Sequence, residues 1–245
     1  KDIIEKERKY INDFRVRNHH LIADYPDNIL NWLTIMQHYG APTRLLDWSE
    51  SIFPALFFAL EKYFMIDPKE ENNLPCIWCL KPSLLNSALK NNLQNKLMRL
   101  RKNMTFPLIN KNNPIDYFIE LSDIASNLES RKKEPLAGYF LNGNPSIYPE
   151  LPIAIVPSYN NDRIRAQAGV FTVFPVLEEN KKINSLFELS LDSKIGCGEF
   201  LQKIIILKPY KMSEQLKQIG MRRMNFYPEL PNSEFDLTND LLFKY

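Results

Sequence analysis

Glycine is scarce in this chain: seven residues in 245. No Walker A pattern and no GxGxxG run occurs, so the loops that cradle phosphates with bare backbone are excluded. Charge of one sign is also lacking. The formal net charge is +2, so no global basic field announces nucleic acid, and any such binding has to rest on a local patch. No apolar run is long enough to span a bilayer; the longest, Ile52 to Leu60, suits a buried helix, and no membrane partner is expected. The chain opens on a charged, helical segment, Lys1 to Arg8, so no signal peptide is expected. Three cysteines, an odd number, fit a reducing cytoplasm better than a disulfide scaffold, so a cytoplasmic location is expected.

Cys76-Ile77-Trp78-Cys79 lies in an expected strand with no second Cys/His pair at ligand spacing, so small buried thiols are the better reading than redox or zinc chemistry. His19-His20 falls in a polar loop, and no metal is expected. The apolar fraction, 44%, is that of a globular domain with a substantial core.

Apolar spacing predicts an amphipathic helix over about the first sixteen residues, with Ile3, Ile4, Tyr10, Ile11 and Phe14 on its inner face. A second helix is capped by Asp27 or Asn28 and buries Ile29, Leu30, Leu33 and Met36. Thr43 to Trp48 reads as a strand, Ile52 to Phe64 as a helix capped by Ser49 or Ser51, and Pro75 to Leu80 as a strand. The Asn-, Lys- and Pro-rich stretch 83–149, with helical pieces at Leu84–Leu100 and Pro114–Leu128, reads as an insertion or side lobe within one domain. Ile153–Val156, Val170–Phe174 and Ile204–Leu207 look like strands. Ser213 to Ile219 reads as a helix capped by Ser213 and closed by Gly220. Helices and strands without regular alternation favour α+β: a single domain whose split, mostly antiparallel sheet is flanked by helices.

Gln37-His38-Tyr39-Gly40-Ala41-Pro42-Thr43-Arg44-Leu45-Leu46-Asp47-Trp48-Ser49 packs hydrogen-bonding groups between two apolar segments, which core packing alone does not require. Two readings stand. In one, Arg44 and Asp47 form an internal ion pair, His38 caps a helix ending at Tyr39 and Trp48 is core. In the other, a strand carries Arg44 and Asp47 to a cleft lined by Thr43, Trp48 and Ser49. Strand alternation sends Arg44 and Asp47 to opposite faces, so at most one meets a ligand head-on.

The block Asn161 to Thr172 is the second candidate, an anion- or amide-recognising edge with Arg165 and Gln167 on one strand face; a solvated turn is its alternative. The third is Arg222, Arg223, Phe226 and Tyr227, with the Lys96–Lys102 stretch, where charge and rings together suit unpaired bases; the alternative is a solvated helix face.

The first block, from Gln37 to Ala59, resembles the FRG domain family: a glutamine-histidine-tyrosine-glycine run, a proline-threonine-arginine, a Leu-Leu-Asp-Trp and a hydroxyl residue opening an Ala- and Phe-rich helix. Arg163 to Thr172 and Ile204 to Leu230 are similar to later blocks of that family, so the resemblance runs from the start of the chain to about Leu237, apart from the variable stretch 83–149, and implies one FRG-type domain over 1–245. The Phe-Arg-Gly that names the family is absent. Phe14-Arg15-Val16 lacks the glycine and sits in a helix, so the sequence is expected to begin after the N-terminal strand that bears the motif.

The arrangement also resembles ADP-ribosyltransferases, with Leu45 to Ala59 similar to their middle part and Gln167 to Phe171 to their last. That likeness implies an ADP-ribosyltransferase-like fold and an enzyme that consumes NAD as substrate, with no metal. Asp47, Arg44 and Gln167 would then be catalytic, and His38, Tyr39, Thr43, Arg44, Trp48, Ser49, Arg165 and Phe171 would hold the dinucleotide. Gln167 stands where those enzymes carry Glu. Nucleic acid, including RNA, or a protein is the implied acceptor, an antitoxin protein is an implied partner, and a toxin or anti-phage effector is the implied role. A non-catalytic ligand- or nucleic-acid-binding module is the alternative.

Overall fold

Glu7, Ile11 and Phe14 fall at helical spacing on one side of the first helix, and Ile11 is buried. In a computed structural model that describes residues 2–22, 26, 29–65, 74–99, 119–120, 149–157, 161–175, 184–192 and 200–228, this helix, α1, spans Asp2–Asn18. Its end is closed by the Asn18 amide donating to the Phe14 carbonyl at 2.8 Å. Tyr10 faces outward rather than inward, because the buried stripe runs through Ile11.

The chain divides into two compact units. The first comprises Lys1–Asp47, Lys81–Ser158 and Phe171–Leu201; the second comprises Trp48–Leu80, Tyr159–Val170 and Gln202–Tyr245.

In the first unit α1 packs on α2 (Ile29–His38), with the Arg15 guanidinium 5.2 Å from the Trp32 ring centroid. Leu30, Leu33 and Thr34 form the buried stripe of α2, and Gln37 continues it one turn on. The expected caps Asp27 and Asn28 lie outside the described residues. The helix ends in a Schellman motif: Gly40 N–H reaches the Gln37 carbonyl, Ala41 N–H reaches that of Met36, and Gly40 takes φ +75°. A left-handed turn of this kind costs a side-chain-bearing residue about 1–2 kcal/mol, which is why glycine is used here despite its scarcity.

A four-stranded sheet has the order β1 (Leu45–Ser49), β5 (Gly169–Val173), β4 (Ile153–Val156), β3 (Ile119–Glu120). β4 and β5 are antiparallel, with Ala154 opposite Thr172, while β3 and β4 are parallel. α4 (Pro82–Arg99) packs on β4 through a helical stripe of Leu85, Ala88, Leu89 and Leu93. Buried Asn86 both donates to the Ala154 carbonyl and accepts from its N–H, at 3.1 and 2.9 Å. That amide satisfies two backbone groups as a neighbouring strand would. The described parts of 83–149, α4 and β3, thus lie in the first unit. The expected helix 114–128 has only Ile119 and Glu120 described, and they are strand.

In the second unit, α3 (Ile52–Met65) and α7 (Pro209–Gln218) pack together. Their shared core holds Phe57, Leu60, Tyr63, Ile77, Ile206, Leu216, Met221 and Phe226. Ser51 accepts a bond from Phe53 N–H at the start of α3, so of the two expected caps Ser51 is the one in place. β2 (Cys76–Leu80) pairs with β6 (Leu201–Ile205), which begins three residues before the expected strand Ile204–Leu207. α7 starts four residues earlier than the expected Ser213. Pro209 occupies its first turn, and Ser213 sits in its interior, where its hydroxyl donates to the Tyr210 carbonyl at 2.8 Å. Gly220, at φ +86°, closes α7 with the same Schellman pattern as Gly40.

Two helices were not anticipated. α5 (Asp162–Ala166), in the second unit, is capped by Asn161. α6 (Leu186–Leu191), in the first, has a full capping box between Ser185 and Glu188. The mixture of helices with two small, mostly antiparallel sheets is α+β.

Candidate functional site

Thr43, Gln37 and Asp47 form a directed chain in the first unit. Leu45 N–H donates to the Thr43 hydroxyl at 3.1 Å, so that hydroxyl directs its own proton to Gln37 Oε1 at 2.5 Å. With its oxygen engaged, the Gln37 amide turns its NH2 to Asp47 Oδ2 at 2.9 Å. Asp47 is exposed, and among the described residues its second oxygen has no partner. The result is a carboxylate held by one oxygen and open at the other. Gln37 was not among the residues expected to act; its position at the head of the first block was the signal.

Arg44 does not pair with Asp47. Its Nε donates to Glu7 at 2.7 Å, with the two side chains 14% and 15% exposed, and its Nη1 donates to the Phe174 carbonyl. A guanidinium with a half-buried carboxylate and a backbone acceptor is a scaffold group, and it does not project to meet phosphates as expected. Glu7, on α1 and 37 residues away, was the partner missed. His38 is half-buried, in edge contact with Tyr39 at 4.8 Å, and Tyr39 is 67% exposed. Thr43 is half-buried. Phe171 is 4% exposed within β5, so its ring is core and not a wall for a ligand.

The second unit holds the other expected residues. Trp48 is half-buried. Ser49 Oγ lies 2.8 Å from the Gln167 carbonyl, and Glu50 N–H donates to the Ala168 carbonyl at 3.0 Å. These bonds staple the end of β1 to the turn after α5. Arg165 and Gln167 do not share a strand face: Arg165 is in α5, paired with Asp162 at 3.7 Å on the surface, and Gln167 is in the turn. The Gln167 amide donates to the Phe226 carbonyl at 3.0 Å, which makes it a tie between two backbone segments.

Of the expected nucleic-acid patch, Phe226 is 6% exposed and packs its ring on Phe57 at 4.8 Å, so no base can stack on it. Arg222 donates to the carbonyls of Lys217 and Met221. Arg223 pairs with Glu61 and lies over the half-exposed Tyr227 ring. The Lys96–Lys102 stretch lies outside what is described of side chains. Cys76 and Cys79 are free thiols, half-buried in β2. Among the described residues no group of three or more His, Cys, Asp or Glu could hold a metal, and no described helix is long and apolar enough to cross a membrane.

Residues 1–67 match the FRG domain family, and that match covers α1, α2, β1, α3 and the whole Thr43–Gln37–Asp47 chain. The likeness is confined to this first segment, which contains the block from Gln37 to Ala59. No curated protein and no solved structure matches the chain.

Proposed function

We propose that the protein is an NAD-dependent ADP-ribosyltransferase that modifies a macromolecule, nucleic acid or protein, as a cytoplasmic toxin or anti-phage effector. The observation that carries the reading is the Asp47 carboxylate, oriented by Gln37 and Thr43 and open at one oxygen. In the transfer, the bond between nicotinamide nitrogen and ribose C1′ breaks and the electron pair leaves with neutral nicotinamide. The acceptor's nucleophile bonds to C1′ and its proton passes to Asp47. Positive charge builds on the ribose in between, and a fixed carboxylate stabilises it without having to reorganise. A general base in reach of the nucleophile contributes about 10²–10⁴-fold. Gln37 is the positioning residue. Arg44 holds the strand that bears Asp47 and does not bind phosphate. The fold of such transferases, with an antiparallel sheet and an Ala- and Phe-rich helix, is part of the same proposal.

One observation favours the alternative, a module that binds a ligand without chemistry. Gln167 stands where these transferases carry Glu, and its amide is engaged by the Phe226 carbonyl. An amide cannot take the nucleophile's proton, so in the transferase reading that task falls to Asp47 alone.

Labelled NAD incubated with the protein and total cellular RNA, DNA or protein separates the two. The transferase reading expects label on one macromolecule and stoichiometric nicotinamide release. Absence of both would leave the binding module.

A further inference from the structure

Arg163 is a half-buried arginine with no carboxylate partner among the described residues. Its guanidinium carbon lies 4.4 Å from the Tyr227 ring centroid, and among the described residues nothing else engages that side chain. Arg223 lies 4.5 Å from the same centroid. Two guanidinium groups therefore share one ring, and Glu61 neutralises only Arg223. The nearby charges are otherwise committed: Asp162 to Arg165, and the Arg222 guanidinium to two carbonyls.

The cluster is also held in place before any ligand arrives. The Asn161 side chain accepts from Arg163 N–H at 2.8 Å and fixes the start of α5, and Ile164 of the same helix is buried. Phe226 and Tyr227 N–H groups both reach the Arg223 carbonyl, and Gln167 ties the Phe226 carbonyl back to the turn after α5. Fixed donors lose less entropy on binding than free side chains do.

We infer that Arg163, Arg223 and Tyr227 form a binding site for a nucleotide phosphate. The Arg163 guanidinium beside the ring presents a fork of N–H donors in its own plane, and with the Arg223 charge next to it that fork suits the oxygens of a phosphate. The Tyr227 hydroxyl, with no hydrogen-bond partner among the described residues, adds a donor. The net charge of the cluster, two arginines against one glutamate, is +1. This site does not rest on the transferase reading and is tested without NAD.

Two probes distinguish the source of the phosphate: ADP, by isothermal titration, and a short single-stranded oligoadenylate RNA, by fluorescence anisotropy, both with the full chain. Arg163→Met keeps the apolar stem on Tyr227 and removes the charge and the fork. It is expected to weaken whichever probe binds by about tenfold or more, as loss of a charge-assisted bidentate contact does. Arg163→Lys should recover part of that affinity, and Glu61→Gln, which removes the negative charge beside Arg223, should tighten it by a few fold. Lys211→Met, an exposed charge elsewhere on the same unit, should change nothing. Binding of ADP marks a free nucleotide; binding of the RNA alone marks a phosphodiester chain. Failure of both probes to bind, binding unaltered in Arg163→Met, or equal losses in Arg163→Met and Lys211→Met would overturn the site.

Discussion

The blocks 37–47 and 161–169 carry similar letters, arginine, glutamine and a helix-ending turn, yet the fold uses them in opposite ways. In the first block the arginine is a scaffold group and the glutamine orients an exposed carboxylate: Arg44 is paired with Glu7, and Gln37 donates to Asp47. In the second the glutamine is the scaffold group and an arginine is open: Gln167 holds the Phe226 carbonyl, and among the described residues Arg163 has only the Tyr227 ring beside it. What a polar side chain does is set by which partner reaches it first, not by its type. Partners 37 or 59 residues away decide that, and both lie outside the motif.

The arginines give the largest test of this contrast. Glu7→Ala strands the nearly buried Arg44 charge and should cost about 3 kcal/mol. Arg163→Met should stay within about 0.5 kcal/mol, as surface changes do. Chemical denaturation of both variants measures the difference. Equal losses would erase the distinction between the two arginines.

The glutamines come next. Gln37→Met removes the donor that orients Asp47, so transfer should fall about tenfold while stability drops by about 1 kcal/mol. Gln167→Glu turns a donor into an acceptor facing the Phe226 carbonyl, and should cost about 1–3 kcal/mol in stability. If Gln167→Glu instead raised transferase activity at unchanged stability, Gln167 would belong to the chemistry and the contrast would fail.

The helix ends give the smallest effects. Gly40 adopts φ +75°, and Gly40→Ala should destabilise by about 1 kcal/mol. Ala168, at φ +46°, occupies the corresponding left-handed position after α5. Ala168→Gly relieves that strain but adds unfolded-state entropy, so the net gain should be no more than about 0.5 kcal/mol. Thermal melts of the pair would show opposite signs.

The elements that follow local rules were legible in the sequence. α2, α3 and the two glycine-closed helix ends declare themselves through apolar spacing and a φ that only glycine adopts cheaply. Other features depend on distant contacts. Nothing local separates an Arg44–Asp47 pair from an Arg44–Glu7 pair, because Glu7 arrives on another helix. Phe226 read as an exposed ring because it follows two arginines, but its burial is decided by Phe57 on α3. α5 was hidden because five residues make too short a period, although Asn161 carried its cap. The capping box of Ser185 and Glu188 is a local signal of α6. At the candidate site, the block 37–49 was visible as a cluster, but the direction of its hydrogen bonds required the fold.

The central claim is that the open oxygen of Asp47 does the chemistry, and Asp47→Asn tests it most directly. The exchange removes the charge and the base while keeping the shape, and an exposed side chain tolerates it with little loss of stability. Nicotinamide release from NAD, measured beside a thermal melt on the same samples, should fall by about 10²-fold or more while the melting temperature stays within a degree or two. Release at the wild-type rate, or a loss that only tracks a lowered melting temperature, would contradict the account.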